Sequence, residues 1–178
     1  MEKDIKDLKI LIDSNKLNKR IQELAQEINE SYGVQKPLTL VCVLRGAVMF
    51  YTELAKHLKM PIKMEFVSLS SYGNSEKSSG KIKSFNLHLP NLKGENVLVV
   101  EDIIDTGLTL DFLIKFIQMN CNADDVKLAV LFDKKCARKY DITPNFAAFE
   151  IDDKFIVGVG LDYCGLYRNL DYIGWFEN

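Results

Sequence analysis

Short apolar runs alternate with segments of helical periodicity along most of the chain. Leu38–Leu44 is such a run and ends at Arg45-Gly46, and Val97–Val100 repeats the pattern. A third run covers Lys127–Phe132. Continuous apolar runs of this length are typical of strands buried on both faces. Because strands that alternate with helices favour a mainly parallel sheet covered on both faces, the sequence predicts an α/β fold.

Three segments carry the spacing of helices. Asp13 and Ser14 are good N-cap types, and the residues after them place apolar side chains at intervals of four, three and four, with Gly33 ending the pattern: Leu17, Ile21, Leu24 and Ile28. A second helix is predicted over Val48–Leu58. A third is marked by Leu110, Leu113, Ile114 and Ile117.

The remaining segments predict further strands and one loop. Alternation of apolar and polar residues indicates a half-exposed strand over Pro61–Leu69, with a hairpin partner over Lys81–Leu89. Two more short strands are predicted at Phe146–Ile151 and Phe155–Val159. The polar segment Ser70–Gly80 cannot bury enough surface to hold itself in place, so we expect a mobile loop there.

Length and charge limit the classes of function. The 178 residues, 47% of them hydrophobic, suffice for one well-covered core, and no repeat or linker divides them, so we expect a single domain over residues 1–178. Lys and Arg number 23 against 25 Asp and Glu, a net charge of -2. Because no basic field is present, a small-molecule substrate is favoured over nucleic acid.

The cysteines and the amino-terminal segment indicate a reducing compartment. Four cysteines contain no C-x-x-C pair and lie far in sequence from both histidines, so neither a zinc site nor a disulfide framework is indicated. Cys42 lies in an apolar run and is interpreted as a core residue. The first residues are charged and no stretch reaches the roughly 18 to 20 apolar residues of a membrane span, so a cytoplasmic location without membrane contact is expected.

An acidic turn between a predicted strand and a predicted helix is the best candidate for chemistry. In open α/β sheets ligands bind beyond the carboxyl ends of the strands, where a helix amino terminus offers N–H groups to an anion. Gly107 allows backbone to approach a phosphate, and the hydroxyls of Thr106 and Thr109 add donors. The segment therefore favours a phosphate site.

Three carboxylates beside that phosphate site need partners of their own. Glu101, Asp102 and Asp105 would repel a phosphate unless they bind hydroxyls, a metal or a proton. A phosphorylated sugar offers all three. The alternative is a charged strand end that only starts a helix, since acids are common near helix starts.

The segment Val97–Thr109 resembles the signature of type I phosphoribosyltransferases that binds 5-phosphoribosyl-1-pyrophosphate (PRPP), and its Glu-Asp-Ile-Ile-Asp-Thr-Gly core is similar to that of the hypoxanthine-guanine branch. Further matches follow in the family's order. Val43–Phe50 resembles the pyrophosphate loop, Ser71-Tyr72 the start of the mobile catalytic loop, and Phe149–Gly158, with Leu161–Tyr163 and Arg168, the purine-binding end. The similarity covers roughly residues 8 to 173.

The resemblance implies a twisted parallel sheet with a small hood formed by the amino- and carboxyl-terminal segments, and transfer of phosphoribose to a 6-oxopurine. Asp105 would be the general acid and base at purine N7. The 5-phosphate would be held by residues 105 to 109, which include Leu108, and the ribose hydroxyls by Glu101 and Asp102. Arg45-Gly46 would meet the pyrophosphate, and this peptide bond can be cis in the family.

The same resemblance implies how the base and the leaving group are held. Lys134 would donate to purine O6, although the neighbouring Lys135 leaves the alignment uncertain by one residue. Phe155 would stack on the purine and the Ile156 backbone would bind the base edge. Asp162 would join Glu101 and Asp102 at a Mg²⁺ ion, and Arg168 would neutralise the pyrophosphate. Closure of the 71–80 loop would shield an oxocarbenium-like state from water.

Two rival functions stay open at this point. One is a phosphoribosyltransferase for xanthine, adenine or a pyrimidine. The other is a regulatory protein of this fold that binds RNA or DNA, which the slight acidity disfavours. The residues do not rank hypoxanthine, guanine and xanthine, and a homodimer or homotetramer is expected by family analogy only.

Overall fold

The computed structural model describes residues 7–71 and 82–177, which form two β-sheets and three α-helices. In chain order the elements are β1 (Leu8–Ile12), α1 (Ser14–Tyr32), β2 (Leu38–Leu44), α2 (Val48–His57), β3 (Ile62–Ser71), β4 (Ile82–Asn86), β5 (Asn96–Ile104), α3 (Leu108–Asn120), β6 (Val126–Asp133), β7 (Phe146–Glu150), β8 (Ile156–Val157) and β9 (Ile173–Phe176). Within these described residues no helix is both long and apolar enough to span a bilayer.

The larger sheet has six strands in the order β4-β3-β2-β5-β6-β7. Its five strands from β3 to β7 in that order run parallel, and β4 pairs antiparallel with β3 at the edge. In the middle of the sheet Cys42 of β2 pairs with Phe66 on one side and with Val100 on the other. The predicted mainly parallel sheet and its hairpin partner are confirmed.

The strands are apolar along their whole length because both faces of the sheet are covered. In β2, Leu40 and Cys42 belong to the core cluster that contains residues of α1 and α2, whereas Val41 and Val43 belong to the cluster that contains residues of α3. Successive side chains of a strand point to opposite faces, so one strand supplies both clusters. The expected helices on both faces are therefore present.

Cys42 is a core residue, as predicted. Its side chain is fully buried. Burial, together with the nearby Glu101 and Asp102 carboxylates, raises the pKa of its thiol to about 12. The thiol therefore stays protonated at neutral pH and is no nucleophile.

Helix α1 begins and ends where the sequence predicts. The Asp13 side chain accepts a hydrogen bond from the Lys16 N–H at 2.9 Å, an N-cap that satisfies one of the first free donors. Gly33 ends the helix with a φ of +68°, and its N–H donates to the Asn29 carbonyl. The apolar side of the helix, spaced by three and four residues, is buried.

A second sheet joins the two ends of the described chain in the antiparallel order β1-β9-β8. Leu8 pairs with Phe176 and Ile156 with Trp175. This sheet is the expected hood. The strand predicted over Phe155–Val159 is present but shorter, at Ile156–Val157, because Gly158 and Val159 take positive φ angles of +107° and +48° and turn the chain.

Strand β5 is longer than predicted. Glu101 and Asp102 were expected in the turn after Val100, but parallel pairing with β6 continues to Ile104, which pairs with Asp133. Both acids are therefore held by the sheet rather than by a loop. Of the predicted 70–80 loop, Ser70 and Ser71 are the end of β3, while Tyr72 and the residues after it lie outside the described part of the chain.

Candidate active site

The candidate site lies at the carboxyl ends of β2 and β5. These two strands are neighbours in the sheet, but the chain leaves β2 towards β3 and leaves β5 towards β6 on the opposite side. Such a switch point separates the two exit loops and leaves a crevice between them. A cavity of about 420 Å³ opens there, lined by Val43, Leu44, Leu69 and residues 101–107, 109 and 110.

The turn at one side of this cavity starts helix α3. Gly107 precedes the helix with a φ of +89°, a left-handed conformation that glycine adopts readily. The Thr106 hydroxyl oxygen accepts weakly from the Leu108 N–H at 3.4 Å, and no side chain caps the helix. The first N–H groups of a helix have no acceptors inside it, so this turn has the donors that an anion requires.

A segment after β6 holds this turn in place. The Lys139 and Tyr140 N–H groups donate to the Thr106 carbonyl at 2.9 and 3.1 Å, and Arg138 Nε donates to the Asp105 carbonyl at 3.2 Å. Gly107 packs directly on the same segment, since a Cβ there would lie 2.6 Å from Ile142 Cγ2. The turn is thus fixed from outside the cavity.

Glu101 and Asp102 form a buried acidic pair at the cavity wall, each with 9% of its surface exposed. Glu101 Oε1 accepts from the Asp102 N–H at 3.1 Å, and Asp102 Oδ1 accepts from the Ile103 N–H at 2.8 Å. Burial raises the pKa of the Glu101 carboxyl well above its ordinary value, and the Asp102 carboxylate raises it further. The pair therefore favours binding of a cation, a proton or hydroxyl donors.

The loop after β2 lies against this acidic pair. A Cβ on Gly46 would lie 1.8 Å from Asp102 Oδ2, so only glycine permits this approach. Arg45 is exposed and forms no ion pair with any described residue. The cis peptide bond is Leu44–Arg45, not Arg45–Gly46 as the resemblance suggested. This cis bond lies where the chain leaves the β2–β3 pairing, since the last pair of these strands is Leu44 with Ser68.

The loop after β8 approaches from the hood. A Cβ on Gly160 would lie 1.8 Å from the Gly46 carbonyl oxygen, so the two loops are in direct backbone contact. Arg168 donates to the Gly160 carbonyl and pairs with Asp162 at 2.6 Å. Arg168 and Asp162 are thereby brought close to the loop of Arg45 and Gly46.

The three predicted metal ligands are not gathered into one site. Among residues 7–71 and 82–177, no three His, Cys, Asp or Glu side chains lie close enough together to hold a metal ion. Glu101 and Asp102 are adjacent, but Asp162 lies on the hood loop and pairs with Arg168. The buried acid pair suits a magnesium ion that takes its other ligands from a phosphorylated substrate, since this ion usually binds one or two carboxylates.

Lys134 directly follows β6, and its ammonium pairs with Asp153 at 2.7 Å. The Lys134 side chain is only 14% exposed. The hydrogen bond that the Lys134 ammonium donates to the Asp153 carboxylate raises the pKa of Lys134 despite partial burial, and the Asp105 carboxylate adds to the effect. Lys135 instead is exposed and pairs with Glu150. Of the two lysines, Lys134 is therefore the one placed near Asp105.

The other predicted base-binding residues lie in or beside the hood. Phe155 is 52% exposed and meets Tyr163 edge to face at 5.9 Å between ring centroids. Ile156 is buried in β8. Asp105 is exposed at the mouth of the cavity. Lys134 and Asp105 thus lie near each other, and Phe155 follows the segment whose Asp153 pairs with Lys134.

Comparison with known proteins agrees with this geometry. A model described as "Phosphoribosyl transferase domain" matches residues 7–164. The chain belongs to the phosphoribosyltransferase family. A hypoxanthine-guanine phosphoribosyltransferase of Bacillus subtilis is 41% identical over 174 residues, covering 98% of this chain and 94% of that protein. A hypoxanthine-guanine-xanthine phosphoribosyltransferase of Tritrichomonas foetus is 40% identical over 167 residues, covering 93% and 90%.

A solved structure is similar over nearly the whole fold. The crystal structure of a hypoxanthine-guanine phosphoribosyltransferase from Bacillus anthracis, with a HEPES molecule in its active site, has a TM-score of 0.88 and 38% identity, covering 95% of this chain and 98% of that one. The resemblance inferred from the motifs is therefore confirmed, as is the phosphoribosyltransferase fold with its hood.

Two residues of this phosphoribosyltransferase site, Arg138 and Asp153, were missed by the sequence reasoning. Arg138 supports the turn before α3 through a backbone carbonyl, a group that every residue carries, so no spacing indicates it. Asp153 pairs with Lys134 across a loop, and only its position in the Phe149–Gly158 motif hints at a place near the base. Both depend on tertiary contacts.

Proposed function

We propose that this phosphoribosyltransferase transfers the 5-phosphoribosyl group of PRPP to N9 of hypoxanthine or guanine, giving IMP or GMP and pyrophosphate, a purine salvage reaction. The observation that carries the proposal is a helix-start turn, Asp105–Thr109, beside a buried acid pair in one cavity. Relatives named for this activity match over nearly the full chain. The xanthine-using relative makes xanthine a second candidate base.

The turn is proposed to bind the 5-phosphate. The N–H groups from Thr106 to Thr109 and the hydroxyls of Thr106 and Thr109 are donors to phosphate oxygens, and the helix dipole favours the negative charge. Thr106 and Thr109 both line the cavity. Gly107 lets the backbone turn there without a Cβ.

Glu101 and Asp102 are proposed to accept hydrogen bonds from the ribose 2- and 3-hydroxyls. Their carboxylates are buried at the cavity wall and have no ion-pair partner among the described residues. Hydroxyl donors stabilise the charged form that burial disfavours, so the sugar would lower the raised pKa of Glu101. The pair is thus better satisfied with substrate than without it.

A magnesium ion fits the same acids, with Asp162 near the pyrophosphate as a further candidate ligand. Bound there, the ion would offset the negative charge that grows on the departing pyrophosphate.

Arg45 and Gly46 are proposed to contact the pyrophosphate on one side and Arg168 on the other. Arg168 would exchange its bond with Asp162 for phosphate oxygens, which its planar guanidinium suits.

The base is proposed to lie between the turn and the hood. Asp105, exposed at the cavity mouth, would take and return the proton of purine N7. Lys134 would donate to O6 and so favour 6-oxo over 6-amino bases, while Phe155 covers one face of the ring and the Ile156 backbone binds its edge. The exposed surface of Phe155 leaves room for this contact.

The experiment is direct. The protein is mixed with PRPP, Mg²⁺ and, separately, hypoxanthine, guanine, xanthine and adenine, and nucleotide and pyrophosphate are measured. We expect IMP and GMP, and little AMP. Absence of any nucleotide, or AMP as the main product, would overturn the assignment. Light scattering on the same sample tests our inference that the enzyme is a dimer or tetramer.

A further inference from the structure

Arg138 connects three parts of the chain at the phosphate turn. Its Nε donates to the Asp105 carbonyl at 3.2 Å, its Nη1 to the Ile142 carbonyl, and its Nη2 to the Asp133 carboxylate. A guanidinium holds its donors in one rigid plane, so these three bonds fix the positions of their acceptors relative to one another. The strand end, the turn and the supporting segment are locked together.

The arginine is built into the protein rather than presented to solvent. The Asp133 side chain is 4% exposed and that of Arg138 15% exposed. Because a buried carboxylate pairs with the guanidinium, the two charges largely cancel at a distance. Arg138 therefore contributes to an anion site mainly through geometry and little through net positive charge.

The turn rests on this arginine and its neighbours. A Cβ at Gly107 would approach Arg138 Cδ to 3.1 Å and Ile142 Cγ2 to 2.6 Å. The Lys139 and Tyr140 N–H groups, which directly follow Arg138, hold the Thr106 carbonyl. The direction of the Thr106 and Gly107 peptide groups thus depends on where the Arg138 segment lies.

We propose that Arg138 is a positioning residue for the 5-phosphate. By fixing the Asp105 carbonyl and the segment that holds Thr106, it aims the N–H groups of the turn at the phosphate without touching substrate. The inference rests on the proposed function of the turn. Loss of its planar bonds should therefore weaken binding of the phosphorylated sugar and leave contacts to the base largely intact.

Arg138→Lys is the decisive variant, because it keeps the positive charge beside Asp133 but a single ammonium cannot reproduce three planar bonds. Arg20→Lys is a matched control. Arg20 is also partly buried and also binds two backbone carbonyls, those of Ala147 and Ala148 at 3.0 and 2.9 Å, but it lies on helix α1 against β7. Both variants are compared with the wild type in KM for PRPP, KM for hypoxanthine, kcat and Tm.

We expect Arg138→Lys to raise KM for PRPP roughly tenfold or more, since small misplacements of binding groups have effects of this order. KM for hypoxanthine should change less than about twofold. Both variants should lower Tm by similar amounts, because each loses guanidinium bonds to backbone carbonyls. Arg20→Lys should change neither the KM for PRPP nor the KM for hypoxanthine. A KM for PRPP within twofold of wild type in folded Arg138→Lys, or equal increases in both variants, would overturn the proposal.

Asp133→Asn decides the question if Arg138→Lys does not fold. It keeps the arginine and an acceptor oxygen but removes the negative charge that anchors the guanidinium, so KM for PRPP should rise in the same direction by a smaller factor. An unchanged KM there would count against the proposal. If the wild type itself neither binds PRPP nor forms nucleotide, the proposed function fails before Arg138 is tested, so the two failures are distinguishable.

Discussion

Replacement of Glu101 by Gln should stabilise the substrate-free protein and weaken its use of PRPP. Glu101 is almost fully buried, accepts one backbone hydrogen bond and lies beside a second buried carboxylate. No lysine or arginine pairs with either acid among the described residues. Gln has nearly the same shape and no charge, so the substitution removes an unfavourable buried charge without leaving a cavity.

The size of the effect has an upper bound. A buried carboxylate becomes neutral when it binds a proton. Protonation costs about 1.36 kcal/mol for each pH unit above the ordinary pKa of 4.5, and the destabilisation caused by the buried charge cannot exceed this cost. At pH 7 the bound is therefore about 3 kcal/mol. We expect a gain of about 2 kcal/mol in the free energy of unfolding, or roughly 4–8 °C in Tm for a chain of this length.

The pH dependence gives the sign of the effect. Because the folded-state pKa of Glu101 is raised, its protonated form is favoured by folding, and the wild type loses stability as pH rises from the ordinary pKa towards the folded one. The advantage of Glu101→Gln should therefore be small near pH 5 and larger at pH 7.5. Denaturant unfolding at the two pH values measures this difference.

The Glu101→Gln variant should be more stable than the wild type but should bind and use PRPP less well. The increase in Tm on adding PRPP and Mg²⁺ should be smaller in Glu101→Gln than in wild type, and kcat/KM for PRPP should fall at least tenfold, about 1.4 kcal/mol. Asp111→Asn is the control, since it removes a carboxylate that pairs with Lys115 on the surface of α3 and should shift stability by less than about 1 kcal/mol. A less stable Glu101→Gln, or an equal difference at both pH values, would refute the reasoning.

Three further predictions concern the turn and the base. Asp105→Asn should lower kcat far more than it weakens PRPP binding, and equal losses in steady-state kinetics and titration would count against proton transfer by this residue. Asp153→Asn should lower the pKa of Lys134 and move the alkaline limb of the pH–rate profile to lower pH; an unmoved limb contradicts this. Gly107→Ala should lower Tm more than Gly94→Ala, because both glycines have positive φ but only Gly107 adds a close contact with Ile142.

Much of the fold could be predicted because hydrophobic periodicity is a local property. The spacing of Leu17, Ile21 and Leu24 follows from one helix facing one core, and the run Leu38–Leu44 from a strand covered on both faces. The end of β5 could not be predicted in the same way. Glu101 and Asp102 interrupt the apolar pattern although their backbone continues the ladder with β6.

The candidate site was predictable where a motif is contiguous and unpredictable where two distant segments meet. Asp105–Thr109 supplies its own strand end, turn and helix start, so residue order alone indicates an anion site. The backbone contact between Gly46 and Gly160 joins loops that lie far apart in the chain, and its only sequence sign is a glycine at each position. Such contacts depend on how the hood docks on the sheet.

The pairing of β1 with β9 bears on the order in which the protein becomes native. Lys9 of β1 and Glu177, the residue after β9, form an ion pair and are 168 positions apart, whereas the contacts that hold the turn before α3 lie between residues 105 and 142. Nearby segments meet sooner than remote ones because closing a short loop loses less chain entropy. We therefore expect the proposed phosphate-binding turn to form earlier during folding than the pairing of β1 with β9.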